Sequence, residues 1–376
     1  MTGSVLVVGG GIAGRAAARA LAKHGLGCTV VEQRESSGRG TGVNLPGNAV
    51  RALAELGVPE QALSEGLPLR RREYRNRRGH LLFTMDEDSF WAGVGRSTCI
   101  RHGDLVDALA LPEAAALERA RAVRARPTSE GVEILVEGIS SPRFFDFVIG
   151  ADGVHSSMRE AVAQDVLRPS SMTRSAWRFV GDNPGVDCWT AWSGRDVTFL
   201  LIPMTEDLVY GYAARTRGGH VGSHRSWLAQ EAEGFPAVVG AAVAQGMRSG
   251  ELHHAAVDEV RLGTWHRGRL VLIGDAAHAT GPVWAQGVAM ALEDALALGR
   301  LLTSTPADDW GRVGPRFEAL RRPRVGHVQS ATDRMSRLAA LPGWLRDVSA
   351  TALGPKSYRA AYEPLLGPDH LNDRDG

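Results

Sequence analysis

Cysteine is scarce in this chain: only Cys28, Cys99 and Cys188 occur among 376 residues. Their wide spacing excludes a CxxC pair, so the sequence predicts neither a zinc site nor a disulfide framework. Reduced thiols and a cytoplasmic location are the default expectation. No apolar run reaches the roughly 18 residues that a membrane-spanning helix needs. The N-terminus also lacks the basic and apolar regions of a signal peptide.

An excess of charge of either sign is also missing. The 43 basic and 42 acidic residues leave a formal net charge of +1, which gives no argument for a nucleic-acid or membrane partner. Arginines are nevertheless concentrated between Arg70 and Arg78. We interpret that stretch as a solvated strand face, in preference to a nucleic-acid site. Glycine is abundant, at 45 residues, and provides turns and close backbone approaches to a ligand.

The N-terminal segment predicts a βαβ unit. The short apolar run Ser4–Val8 predicts a buried strand, Ile12–His24 is alanine-rich with helical spacing, and Cys28–Glu32 predicts a second strand. Two parallel strands joined by a crossover helix indicate a doubly wound sheet.

A glycine motif joins the first strand to the first helix. Residues 9–14 read GGGIAG and fit GxGxxG, in which Gly9 permits the turn, Gly11 lets a pyrophosphate approach and Gly14 lets the helix pack on the strand. The helix N-terminus then offers free N–H groups to phosphate. Glu32 ends the second strand, where an acid can bond a ribose 2′-OH and disfavours NADP. The motif therefore predicts a bound dinucleotide.

Later segments predict an interrupted version of the same fold. We expect helices over Asn48–Leu56, Arg101–Leu109, Ser226–Gly246 and Gly287–Leu302, and strands over Val132–Val136, Phe144–Ile149 and Val260–Ile273. Alternating runs over Leu69–Phe83 and Trp177–Arg215 predict a β-sheet insert, antiparallel in its second part. We expect a nucleotide-binding domain from 1–70, 96–170 and 262–305, a substrate domain from 71–95 and 171–261, and a C-terminal helical segment over 306–376.

Two further motifs each end a strand with one acid beside glycines. They are residues 148–153, VIGADG, and residues 270–278, LVLIGDAAH, with Asp152 and Asp275 as the acids. A carboxylate at this position can accept a hydrogen bond from a ribose or ribitol hydroxyl. A helix N-cap or turn residue is an equally good interpretation of either Asp alone.

The three motifs in this order resemble the flavoprotein aromatic hydroxylases related to p-hydroxybenzoate hydroxylase, the group A FAD monooxygenases. The resemblance is carried by GGGIAG, GADGVHS and GRLVLIGDAAH and covers nearly the whole chain. It implies an α/β fold in which a Rossmann-type FAD-binding domain is interleaved with a β-sheet substrate domain and followed by C-terminal helices. A monomer or weak dimer is expected.

The resemblance also implies a reaction. NADH or NADPH would reduce the FAD, and one oxygen atom of O2 would reach an aromatic or polycyclic small molecule through a flavin C4a-hydroperoxide. Epoxidation of an alkene or quinone and a flavin reductase remain alternatives, because fold does not fix chemistry. A halogenase-like enzyme and a non-enzymatic FAD-binding protein are weaker alternatives.

Carried over to this sequence, the resemblance places Gly11 and Gly14 at the pyrophosphate, Glu32 at the adenosine ribose and Asp275 at the ribityl chain. The segment 282–288 would pass under the pyrimidine edge of the flavin. The complete predicted cofactor set is Gly9, Gly11, Ile12, Ala13, Gly14, Glu32, Gln33, Arg34, Arg39, Gly42, Arg101, Leu105, Asp152, Gly153, Gly274, Asp275, Pro282, Ala285, Gln286, Gly287 and Val288. The sequence departs from the family at Ala285, where a glycine is usual, and Trp284 is bulky for its position.

No residue is identified as a catalytic base. Polar candidates in the insert are Tyr74, His80, Arg178, Arg195, Tyr210 and Tyr212, and packing or surface roles are favoured for each. A structural role is favoured for His278. Trp177, Trp189 and Trp192 are expected to be core residues, with a flat-substrate cage as the alternative.

Overall fold

The computed structural model describes residues 3–35, 40–163, 167–215 and 219–367. Arg39, one of the predicted cofactor residues, lies outside them. A six-stranded sheet forms the centre of the fold. Its strands run parallel except for the edge strand His266–Arg267, which is antiparallel to its neighbour. In spatial order the strands are His266–Arg267, Leu270–Leu272, Phe147–Gly150, Val5–Val8, Cys28–Glu32 and Ala115–Arg119.

This sheet brings the three sequence motifs together. Val5–Val8, Phe147–Gly150 and Leu270–Leu272 are neighbouring parallel strands and are buried throughout. Because their carboxyl ends meet at one edge, the loops that follow them share that edge. Helices Ile12–Lys23 and Gly287–Ser304 pack together so closely that a Cβ on Gly299 would lie 2.8 Å from Cβ of Ala20.

A seven-stranded sheet forms the second layer. It is antiparallel except where Trp189–Ser193 pairs in parallel with Arg71–Asn76. In spatial order its strands are Leu252–Ala256, Ser175–Asp182, Leu208–Arg215, Val197–Pro203, Trp189–Ser193, Arg71–Asn76 and Leu81–Asp86. Helices Arg225–Ala232 and Ala237–Ser249 cover one face, and Phe179, Phe199 and Val239 fill the core between them. The other face remains available for the cavity described below.

The remaining elements complete the two layers. The smaller sheets pair Gly42–Leu45 with Thr98–Arg101, Leu167–Pro169 with Asp258–Val260, and Val132–Val136 with both Ala122–Pro127 and Arg143–Phe145. The other α-helices are Gly47–Glu55, Glu87–Phe90, His102–Ala108, Asp275–His278, Val313–Ala339 and Gly343–Tyr362. Short 3-10 helices span Glu60–Leu63, Met158–Ala161, Pro282–Trp284, Ala307–Arg312 and Glu363–Leu365.

The predicted fold class is confirmed, with local corrections. The helix predicted over Ser226–Gly246 is two helices, because Pro236 caps the second one and lacks the N–H that a continuous helix would need. The strand predicted over Val260–Ile273 is interrupted by turns. Arg101 ends a strand and is the N-cap of helix His102–Ala108, so the predicted helix begins one residue later. Within the described ranges, none of the helices is both long and apolar enough to cross a bilayer. The residue boundaries of the domains remain a prediction.

Candidate active site

A cavity of about 1080 Å³ lies between the carboxyl edge of the parallel sheet, the open face of the seven-stranded sheet and helix Gly343–Tyr362. Its wall brings together most of the predicted cofactor residues, although they come from separate parts of the chain. Those on the wall are Gly9, Gly11, Ile12, Ala13, Glu32, Gln33, Arg34, Gly42, Asp152, Gly153, Asp275, Pro282, Ala285, Gly287 and Val288.

The glycine loop at one end of the cavity has the shape of a phosphate cradle. A Cβ on Gly14 would lie 1.8 Å from the carbonyl oxygen of Gly9, so only glycine lets the helix approach the strand this closely. A Cβ on Gly11 would meet no atom of the chain within 4 Å. That open space, beside the N-terminus of helix Ile12–Lys23, fits a pyrophosphate held by backbone N–H groups.

Glu32 holds the loop in this shape. Its carboxylate accepts hydrogen bonds from the backbone N–H of Gly10 and of Arg34, both at 2.7 Å. The side chain also lines the cavity. A carboxylate fixed at the end of the second strand is suited to a ribose hydroxyl.

Asp152 behaves differently, because its own loop already uses its carboxylate. It accepts hydrogen bonds from the backbone N–H groups of Ser157 at 2.8 Å and Met158 at 3.1 Å, and from the hydroxyl of Ser156. Ser157 is the N-cap of the 3-10 helix Met158–Ala161, so the contacts of Asp152 are those of a turn residue, one of the two alternative interpretations. Contact between Asp152 and a cofactor remains a prediction.

Asp275 presents its carboxylate to the cavity. It begins the short helix Asp275–His278, is exposed to the cavity and makes no hydrogen bond within the described residues. The surrounding protein raises its pKa through desolvation, while the charges of His278 and Arg178 lower it. Both oxygens are therefore available as acceptors for the hydroxyl groups of a sugar alcohol.

The loop before helix Gly287–Ser304 forms the next part of the wall. Ala285 has φ 53°, a left-handed conformation that favours glycine and allows the sharp reversal between Pro282–Trp284 and the helix. Gly287 and Val288 face the cavity with the first N–H groups of an 18-residue helix. Such N–H groups stabilise negative charge on a bound ring.

Five predicted cofactor residues lie away from the cavity wall. Gly14 and Leu105 are buried, and the N–H of Gly274 donates to Asp294 at 2.9 Å. Gln286 is buried and exchanges hydrogen bonds with the side chain of Asn48 at 2.9 and 3.2 Å. The guanidinium of Arg101 pairs with Glu251. For these residues, contact with a cofactor remains a prediction.

His278 belongs to a buried polar network and not to the cavity. Its Nε2 lies 2.6 Å from a carboxylate oxygen of Asp294, whose other oxygen accepts from Arg321 Nε at 2.8 Å. Burial alone would raise the pKa of Asp294, but His278 and Arg321 lower it to about 2. The contacts agree with the structural role that the sequence favoured for His278.

On the substrate side, Tyr74, Arg178, Tyr210 and Tyr212 line the cavity, whereas His80 and Arg195 do not. Burial raises the pKa of Tyr210 to about 12 and also raises the pKa of Tyr74 and of Tyr212. These hydroxyl groups are therefore protonated at neutral pH and can donate a hydrogen bond to a ligand, but they are poor bases.

The tryptophans of the insert divide between the two faces of the sheet. Trp177 and Trp192 are buried in the core beneath the two covering helices. Trp189 is on the cavity wall, with its ring centroid 5.1 Å from that of Tyr74. The core interpretation thus holds for Trp177 and Trp192; Trp189 is also buried in a core cluster, and its contact with a substrate remains a prediction.

The solvated-strand interpretation is wrong for Arg72. Arg70 and Arg71 are exposed, but Arg72 is 2% exposed and pairs with Glu87, Nη2 to Oε2 at 3.0 Å. Alternation along the strand puts Arg72 on the same side as Tyr74, toward the cavity. The period-two alternation of side chains along this strand could have indicated that Arg72 faces inward. The interpretation of the whole stretch as solvated rested instead on the near-neutral net charge of the chain.

Comparison with known proteins identifies the family of this chain. The FAD binding domain family matches residues 2–309. The chain belongs to this family. A 2-heptyl-3-hydroxy-4(1H)-quinolone synthase of Pseudomonas aeruginosa is 31% identical over 389 residues, covering 96% of this chain and 97% of that protein. Salicylate hydroxylase of Pseudomonas putida is 30% identical, covering 90% of this chain and 85% of its own.

A solved structure agrees on the fold of this FAD-binding family member. Klebsiella pneumoniae HpxO complexed with FAD and uric acid superposes with a TM-score of 0.83 at 22% identity, with 97% of each chain covered. The expected place among FAD-dependent aromatic hydroxylases is confirmed. The protein is an FAD-dependent monooxygenase.

Proposed function

We propose that this monooxygenase uses NADH or NADPH and O2 to hydroxylate a neutral or weakly acidic aromatic or polycyclic small molecule. The observation that carries the proposal is one continuous cavity, in which a dinucleotide cradle opens onto a pocket lined by Tyr74, Trp189, Tyr210 and Tyr212. When bound, reduced FAD supplies the activation of O2.

The chain would hold the cofactor through complementary groups at several points. The loop at Gly11 and the N-terminus of helix Ile12–Lys23 suit the diphosphate, and Asp275 suits the ribityl hydroxyl groups. The N–H groups at Gly287 and Val288 suit the pyrimidine edge of the flavin.

The substrate pocket supports binding of a flat ring. Aromatic side chains offer apolar faces, and protonated tyrosine hydroxyls offer donors to a substrate oxygen. Arg178 lines the same pocket with its guanidinium 5.7 Å from the ring centroid of Tyr212. Its positive charge would favour the ionised form of a phenol substrate, so a separate general base is not required.

The test uses the purified FAD-loaded protein, both nicotinamide cofactors and a panel of phenols, quinolines and quinolones. Under ¹⁸O2 we expect a compound that accelerates NADH or NADPH oxidation to yield a product carrying one ¹⁸O atom. NMR of that product separates hydroxylation from epoxidation. A flavin reductase would oxidise the nicotinamide without placing oxygen in the compound, and that result for every ring system would contradict the proposal.

A further inference from the structure

The most exposed large apolar side chains of the described residues lie on helix Gly343–Tyr362. Trp344 is 71% exposed, Val348 60% and Leu353 53%, which are the three highest values among the large hydrophobic residues that the structure describes. Leu338, in the last turn of the preceding helix, is also exposed. We call these four residues the Trp344 patch.

Packing of the helix against the rest of the chain does not require this patch. The fully buried residues of the helix all lie in its second half, among them Gly354, Tyr358 and Tyr362. Trp344 and Val348 are four residues apart in the first half, so they share one face of the helix. Neither of them lines the cavity, and their exposed area therefore faces the surroundings of the protein. Large apolar side chains grouped in this way mark a contact surface.

Positive charge accompanies the patch. Residues 334–362 include five basic residues and one acidic residue, Asp347, although the chain as a whole is nearly neutral. Arg334 and Arg337, near the end of helix Val313–Ala339, are exposed, and neither forms a salt bridge with another described residue. A face that combines tryptophan, aliphatic and basic side chains suits the interface of a bilayer that contains anionic lipids.

A second copy of this chain fits the surface less well. An isologous dimer would place the patch of one copy against the same patch of the other. Arg334 and Arg337 would then approach their own equivalents, and like charges brought together in an interface are unfavourable. An anionic lipid surface has the opposite charge, and its interfacial region accepts tryptophan and valine side chains.

We propose that the Trp344 patch binds the surface of an anionic lipid bilayer. The apolar side chains of the helix enter the interfacial region, while Arg334 and Arg337 contact lipid phosphates. Leu338 and Leu353 also line the cavity, so the bound patch brings the cavity close to the acyl chains. A lipid-soluble aromatic substrate would then enter from the bilayer. This consequence rests on the proposed function, whereas lipid binding does not.

The test is cosedimentation of the FAD-loaded protein with vesicles of equal parts phosphatidylglycerol and phosphatidylcholine, and with vesicles of phosphatidylcholine alone. We expect stronger binding to the anionic vesicles and a decrease in that binding as the NaCl concentration rises. Trp344→Ser should weaken binding to the anionic vesicles by about tenfold or more, because a large apolar side chain is lost from the interface. Arg334→Gln combined with Arg337→Gln should weaken it by about tenfold and leave binding to the neutral vesicles unchanged.

Phe144→Ser is the matched control for the tryptophan substitution. Phe144 is an exposed aromatic residue on strand Arg143–Phe145 and belongs neither to the Trp344 patch nor to the cavity wall. Vesicle binding by this variant should equal that of the native protein. The melting temperature and FAD content of each variant are measured alongside, so that a loss of lipid binding is distinguished from unfolding.

Three results would overturn the proposal. The first is that the native protein binds neither kind of vesicle, and the second is that Trp344→Ser binds the anionic vesicles as well as the native protein does. The third is a native dimer, measured by light scattering, that becomes a monomer in Trp344→Ser without any vesicle binding, which assigns the patch to a second copy of the chain. The proposed function fails independently, when no aromatic compound acquires oxygen from O2 in the absence of vesicles.

Discussion

The side chain of Asp275 faces the cavity with both carboxylate oxygens unused within the described residues. Replacement by asparagine keeps the shape but removes the charge and one acceptor. We expect Asp275→Asn to weaken FAD binding by about ten- to a hundredfold, since a hydrogen bond to a charged group contributes about 1.5–3 kcal/mol. Fluorescence titration of the apoprotein with FAD measures the effect.

Asp309→Asn is the control for this prediction, because Asp309 is half-exposed in the 3-10 helix Ala307–Arg312 and is not on the cavity wall. Its FAD affinity should equal that of the native protein. An unchanged affinity in Asp275→Asn would remove this residue from the cofactor site.

Ala285 is the only non-glycine residue with a positive φ in the described part of the chain. A left-handed conformation costs an L-residue about 1–2 kcal/mol, and the greater chain entropy of glycine offsets part of that difference. Ala285→Gly should therefore raise the free energy of unfolding by about 0.5 kcal/mol. Urea denaturation measures this change in the free energy of unfolding. Ala289→Gly, in the helix that follows, should instead lower the free energy of unfolding by about 1 kcal/mol.

At the scale of elements, Asp294 and Arg321 join helix Gly287–Ser304 to helix Val313–Ala339. Both side chains are completely buried and their charged atoms lie 2.8 Å apart. Asp294→Asn would remove the carboxylate charge that pairs with Arg321 Nε and leave the pair of Arg321 with Glu293. We expect a loss of about 3–5 kcal/mol in unfolding free energy, as for other broken buried pairs. Asp333, which is exposed and pairs with Arg261, supplies the control, Asp333→Asn, with an expected loss under about 1 kcal/mol.

The same aspartate predicts how stability depends on pH. Its pKa is about 2 in the folded protein, below the ordinary carboxyl value of 3.8. A lowered pKa stabilises the fold above the ordinary value, and that contribution is lost as pH falls from about 4 toward 2. Chemical denaturation across this range should show a steeper decline in the native protein than in Asp294→Asn. Parallel curves would contradict the assignment.

How far the sequence predicted each element depended on whether the information was local. The strand Cys28–Glu32 and the glycine turn at Gly9 were predicted correctly, because apolar runs and glycines encode them within a few residues. The buried position of Arg72 was not predicted, because its environment includes Tyr358 and Tyr362, which are nearly 300 residues away in the sequence. Pairing of Trp189–Ser193 with Arg71–Asn76 is similarly non-local.

For the molecule as a whole, Tyr362 links the C-terminal helix to the loop beside the predicted flavin position. Its hydroxyl accepts from Arg72 Nη1 at 3.2 Å and donates to the carbonyl of Trp284 at 2.7 Å. Tyr362→Phe removes both bonds while keeping the ring. We expect the cavity to exclude water less well, so that the yield of oxygenated product per NAD(P)H consumed falls at least about twofold.

Hydrogen peroxide released per NAD(P)H measures this loss of coupling directly. Lys356→Ala, an exposed position on the same helix, should leave the ratio unchanged. Equal coupling in Tyr362→Phe and the native protein would show that these two hydrogen bonds do not contribute to closure of the cavity.

The cavity wall is assembled from both halves of the chain, with the glycine loop near residue 11 and Asp275 near the end of the parallel sheet. The proposed cofactor contacts at Gly287 and Val288 imply that a ribosome releases almost 290 residues before a nascent chain can retain its vitamin-derived cofactor. Loading of the flavin is consequently a late event in biogenesis. We therefore expect full-length apoprotein made under limiting riboflavin to lack the stabilisation that ligand binding gives and to be degraded by proteases faster than the loaded protein.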